Sequence, residues 1–82
     1  MTPTELHDRL QDIFRQVFDS DALEIRDETA AHDIEGWDSL AQINIVVGAE
    51  DRFGVRFQTS EIRGLKNVGD FKRMIAAKLA AL

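Results

Sequence analysis

The chain has no cysteine. That excludes a disulfide staple and a protein thiol nucleophile, and it fits a reducing compartment. Proline occurs once, as Pro3, where the missing N–H costs a starting helix nothing. No apolar run is long enough to span a bilayer. The opening Met1-Thr2-Pro3-Thr4-Glu5 lacks the basic region and apolar stretch of a signal peptide. A soluble, cytoplasmic protein with no membrane partner is expected. The two histidines, His7 and His32, have no second ligand at metal spacing, so no metal site is expected. His7 reads as helix surface and His32 as loop surface. Internal repeats and low-complexity segments are absent.

At 82 residues the chain is expected to form a single domain, 1–82, with a small core. Its net charge of −5 disfavours nucleic acid and anionic membranes as partners. Residues 19–51 hold ten acids against one base, Arg26, whereas residues 52–82 hold seven bases and two acids. This is either a solvated loop followed by ordinary surface helices or an acidic docking surface for basic partners.

Hydrophobic spacing predicts helices. Thr2 and Glu5 stand at capping-box spacing, and Leu6, Leu10, Ile13, Phe14, Val17 and Phe18 then recur at intervals of three and four. The first helix should end near Phe18. Residues 19–37 show no period and read as a long loop pinned at Leu23, Ile25, Ala31 and Ile34. Loops of this length are often functional. A second helix starts at Asp38 or Ser39. Its apolar side is expected at Leu40, Ile43, Val46, Val47 and Phe53, widened by Ile45 and Ala49, with Gly54 as C-terminal cap. Gly48 inside it suggests close approach of a neighbouring helix or ligand. Val55-Arg56-Phe57 reads as an extended connector. Thr59 or Ser60 should cap a short helix through Ile62 and Arg63, stopped by Gly64. Asn67 should cap the last helix, whose apolar face is Val68, Phe71, Met74, Ile75, Leu79 and Leu82. The predicted fold is all-α: three longer helices and one short one in a small bundle, with a long loop between helices 1 and 2.

Ser39 lies in the run Gly36-Trp37-Asp38-Ser39-Leu40, at a helix start. There, unpaired N–H groups and the helix dipole favour an anion, so a phosphate ester on Ser39 would be welcome. Asp38 can accept a first-turn N–H. Most Asp-Ser pairs before an apolar helix are plain caps, and local chemistry alone leaves both readings open. Serine hydrolysis is disfavoured, because the nucleophile-elbow pattern needs glycine two residues either side of the serine and Trp37 and Ala41 stand there. No enzymatic activity and no catalytic residue are expected.

Gly36-Trp37-Asp38-Ser39-Leu40 resembles the attachment motif of acyl carrier proteins and related peptidyl carrier domains. The resemblance covers essentially the whole chain. It includes the long loop, the closing Asp51-Arg52-Phe53-Gly54-Val55, and Leu65-Lys66-Asn67-Val68-Gly69-Asp70-Phe71 at the entry to the last helix. It implies a covalent 4′-phosphopantetheine arm on Ser39, transferred from coenzyme A by a phosphopantetheinyl transferase with magnesium. Acyl or aminoacyl groups would ride on it as thioesters and be presented to biosynthetic enzymes. Asp38 would serve during transfer, through a metal held by the transferring enzyme. Leu40 and the second helix would contact partner enzymes, and Ile62 would flank the arm or its cargo.

The fatty-acid type has a strongly acidic second helix. Here Ala41, Gln42 and Asn44 are uncharged, and residues 38–53 hold three acids and one arginine, a net of −2. Asp38, Glu50 and Asp51 remain as docking carboxylates for basic patches on loading and transferring enzymes. Together with Trp37, this suggests a stand-alone monomeric carrier of a specialised pathway, such as polyketide synthesis, rather than of housekeeping fatty-acid synthesis. Val46, Val47, Ile62, Leu65, Phe71 and Ile75 could line an acyl pocket, but a bundle this small needs them as core. The alternative function is an unmodified acidic helical interaction module.

Overall fold

Thr2 starts the first helix as the sequence leads one to expect. In the computed structural model, which describes all 82 residues, the Glu5 N–H donates to Thr2 Oγ1 at 3.1 Å and the Thr2 N–H to Glu5 Oε1 at 3.2 Å. This reciprocal pair satisfies two donors that a helix end leaves free. Helix α1 then runs Pro3–Val17 and buries Leu6, Leu10, Ile13 and Phe14. It ends in a left-handed turn at Asp19 (φ 49°), closed by the Ser20 N–H on the Arg15 carbonyl at 3.0 Å.

Helix α2 spans Ser39–Phe53, with Asp38 as N-cap and Gly54 in the left-handed region at φ 67°. Its buried residues are Ala41, Ile45, Ala49 and Phe53, one i, i+4 row. This corrects the expected apolar side: Leu40, Ile43 and Val47 are 65, 58 and 56 % exposed. Small residues decide the phase. Ala41, Gly48 and Ala49 let α1 approach, and a Cβ on Gly48 would lie 2.9 Å from Ile13 Cγ2. A larger inward row would hold the two helices apart.

Helix α3 is Thr59–Arg63 and helix α4 is Val68–Ala80. The α3 cap is Gln58 rather than Thr59 or Ser60; its N–H donates to Glu61 Oε1 at 2.8 Å. Asn67 caps α4 by accepting from the Asp70 N–H at 2.9 Å. Val68, Phe71 and Ile75 are buried, Met74 and Leu79 half-buried, and Leu82 exposed. The architecture is the all-α bundle expected, three longer helices and one short, with no strand. No helix is long and apolar enough to cross a membrane.

The long loop is held from both sides. Gln11 Oε1 accepts the Ile25 N–H at 2.9 Å, and Arg15 Nε donates to the Leu23 carbonyl at 2.7 Å. The Val68 and Gly69 N–H groups, free donors at the start of α4, bond the Thr29 and Asp27 carbonyls at 2.8 and 2.7 Å. Loop carbonyls thus cap α4. Ile25 is fully buried, while Leu23, Ile34 and Trp37 pack half-buried on the core. Ala31, expected as an anchor, is exposed and opens a short 3₁₀ turn, Ala31–Asp33.

Candidate functional site

The loop delivers the chain to α2 through Gly36 and Trp37. The Trp37 ring stands edge-on to Phe14, centroids 5.2 Å apart and planes at 82°, an arrangement that aromatic quadrupoles favour. Its indole N–H donates to Gln42 Oε1 at 2.7 Å. Ser39 therefore follows a fixed segment rather than a loose one.

Asp38 is in a β conformation and its Oδ1 accepts the Ala41 N–H at 2.8 Å. Ser39 is exposed as the first residue of α2. The Asp38 carbonyl accepts the Gln42 N–H at 3.0 Å, while the N–H groups of Ser39 and Leu40 have no protein acceptor. An anion on the Ser39 oxygen would meet those donors and the positive end of the helix dipole. The residues present thus suit a phosphoester at this hydroxyl.

Two clefts lie beside this helix start. One, of about 310 Å³, lies among α1, the loop, α2, α3 and the start of α4. Phe14, Trp37, Ile45, Leu65, Val68 and Phe71 form most of its wall, with Ala31, Gln42, Ile62, Arg63, Lys66 and Asn67 completing it. The other, of about 220 Å³, lies between α2 and α3 and is lined by Ile43, Val46, Val47, Phe57 and Thr59 with Gln42 and Ile62. Gln42 and Ile62 line both, so they form the partition between the clefts.

The structure brings Asp38, Ser39 and Leu40 together at one exposed corner. Ile62 is half-buried. Asp51 is exposed near the far end of α2. Glu50 differs from the free docking carboxylate expected: its side chain is 17 % exposed, it accepts the Phe57 N–H at 2.9 Å, and it lies 3.7 Å from Arg56. It holds the α2–α3 connector in place. Val47, expected as core, is on the surface. His32 is exposed, whereas His7 is half-buried with Nδ1 3.1 Å from Lys72 Nζ. No group of three or more metal-ligating side chains occurs.

Sequence reasoning missed the Trp37–Gln42 bond, the exposed apolar stripe of α2, and the cations Arg63 and Lys66 on the larger cleft. An amide five residues from the only tryptophan was a weak signal for the first. An α2 apolar on several sides was the available signal for the second.

Residues 8–75 match the family described as the phosphopantetheine attachment site. An acyl carrier protein of Acidothermus cellulolyticus is 33% identical over 76 residues, 93% of this chain and 90% of that one. One from Thermobifida fusca is 33% identical over 66 residues, 80% of this chain and 84% of its own. The solution structure of holo acyl carrier protein from Geobacter metallireducens superposes with a TM-score of 0.86 at 43% identity, covering 93% of this chain and 87% of the other. The chain belongs to the acyl carrier protein family. It is a carrier of phosphopantetheine-borne groups and not an enzyme.

Proposed function

We propose that this carrier bears its 4′-phosphopantetheine on Ser39 and presents acyl groups to biosynthetic enzymes through the exposed face of α2. The observation that carries the attachment is the exposed hydroxyl of Ser39 beside two N–H groups with no protein acceptor. The arm, when bound, supplies a thiol on which acyl groups are held as thioesters. Asp38 fixes the first turn of α2 and so sets the direction in which the Ser39 oxygen projects. During transfer its carboxylate stands beside the incoming phosphate, where a cation held by the transferase would offset the repulsion.

For docking, the face offered is apolar more than acidic. Leu40, Ile43 and Val47 follow one another along exposed α2, and Asp51 supplies a carboxylate further on. Partners suited to it present an apolar hollow with a limited basic edge. Such a surface supports service in a specialised pathway rather than in bulk fatty-acid synthesis. Incubation with coenzyme A, magnesium and a promiscuous phosphopantetheinyl transferase should add one arm by intact mass, and Ser39→Ala should add none. An arm retained by Ser39→Ala would contradict the proposal.

A further inference from the structure

The larger cleft is unusual in its charge. The chain has 15 acids and a net charge of −5, yet no acid lines this cleft and two cations do, Arg63 and Lys66. Both are exposed and neither is used in an ion pair. The structure's ion pairs employ Arg9, His32, Arg56, Lys72, Arg73 and Lys78. The acid nearest in sequence to Lys66 that acts on it is Asp70, whose carboxylate already accepts the Lys66 backbone N–H and pairs with Arg73. The rest of the wall is mainly apolar, with Phe14, Ile45 and Phe71 among it. Apolar walls lower the effective dielectric and strengthen the pull of a nearby cation on an anion.

We infer that this cleft takes an acyl group whose far end carries a carboxylate, its carbon chain against Phe14, Ile45 and Phe71 and its carboxylate held by Arg63 and Lys66. This rests on the reading of Ser39 as the attachment point. A purely hydrocarbon cargo would gain nothing from the two cations, whereas a carboxylate-ended one gains charge-assisted hydrogen bonds at its end.

The test uses the whole chain loaded from adipoyl-coenzyme A, with the free carboxyl carbon labelled with carbon-13, and from hexanoyl-coenzyme A as the neutral control. Loading is verified by intact mass. The labelled carboxyl is titrated by NMR beside free adipoyl-pantetheine. A site held by two cations should lower its pKa by at least about 0.5 unit relative to the free compound. A carboxylate merely tethered to a protein of net charge −5 should titrate at or above the free value, so the two outcomes have opposite sign. Replacing Arg63→Gln and Lys66→Gln together should abolish the lowering. Trp37 is the only tryptophan and lines the same cleft; its emission should respond differently to adipoyl and hexanoyl cargo in wild type and alike in the double variant.

A loaded protein whose carboxyl titrates at or above the free value would overturn the inference while leaving the attachment at Ser39 intact. So would a double variant that moves the arm's phosphorus resonance without altering the carboxyl titration, since the cations would then serve the arm itself. A protein that accepts no arm would contradict the attachment reading and this inference with it.

Discussion

The indole N–H of Trp37 donates to the side-chain oxygen of Gln42 at 2.7 Å, and the two residues flank Ser39 on either side. The loop before the serine and the first turn of the helix after it are thus joined by a polar bond. The Trp37 ring adds an apolar contact by packing on Phe14. The exposed hydroxyl between them belongs to a rigid corner.

Trp37→Phe separates the two contacts. The ring packing on Phe14 survives and the hydrogen bond does not. A loss of about 1 kcal/mol in urea unfolding is expected, the usual worth of such a bond. Trp37→Ala removes both contacts and should cost about 2–3 kcal/mol, below a fully buried aromatic because the ring is half-buried. An undiminished Trp37→Phe protein would show that the bond contributes nothing, and equal losses for the two variants would show the same of the ring packing.

Leu40→Gln and Ile43→Gln test the exposed face of α2. Neither side chain is in the core, so stability should change by no more than about 0.5 kcal/mol. The rate of arm transfer or acyl loading should fall several-fold. Asp51→Lys should make a smaller change, and one that weakens with salt. A large loss of stability in Leu40→Gln would contradict the placement of this stripe on the surface.

Gly48→Ala sets two effects against each other. Alanine improves helix propensity by about 1 kcal/mol. The new methyl, however, would meet the Ile13 Cγ2 atom at 2.9 Å, and overpacking costs about 1–3 kcal/mol. Steric conflict should win, giving net destabilisation. The double variant with Ile13→Ala should lose less than the sum of the single losses, because the two sites touch. A stabilised Gly48→Ala protein would contradict the tight α1–α2 contact.

Acid should weaken the fold in a definite window. Four carboxyls sit below their ordinary values: Glu5 through hydrogen bonds with Thr2, Asp27 through Lys72, Glu61 through the Gln58 N–H and Lys78, and Asp70 through the Lys66 N–H and Arg73. Each binds its proton less readily folded than unfolded. Their stabilisation is therefore complete above the ordinary carboxyl range and is lost as pH falls through and below about 4. The melting temperature should decline over that range, and Asp70→Asn should flatten the decline. An unchanged pH dependence in that variant would contradict the role of the Asp70 carboxylate, which accepts the Lys66 N–H and pairs with Arg73.

Much of this was legible in the sequence where the determinants are local. Thr2-Glu5, Asp38, Gly54 and Asn67 mark helix ends because caps depend on a few adjacent residues, and Ser39 stands out as the proposed attachment point because its motif is contiguous. The phase of α2 was not legible. Its apolar residues occupy several sides of the helix, so hydropathy allows more than one orientation. The choice falls to Ala41, Gly48 and Ala49, whose smallness matters only once α1 is present. The role of the long loop was hidden for the same reason: the Asp27 and Thr29 carbonyls cap α4 from some forty residues away. Glu50 looked free because its partner, the Phe57 N–H, is a backbone group that no side-chain pattern announces.

Tandem mass spectrometry of the modified protein addresses the central claim most directly. The chain offers three serines, Ser20, Ser39 and Ser60. After proteolysis, the phosphopantetheine should be found on the peptide containing Ser39, with fragment ions that assign it to that residue alone. Its assignment to Ser20 or Ser60 would contradict the account.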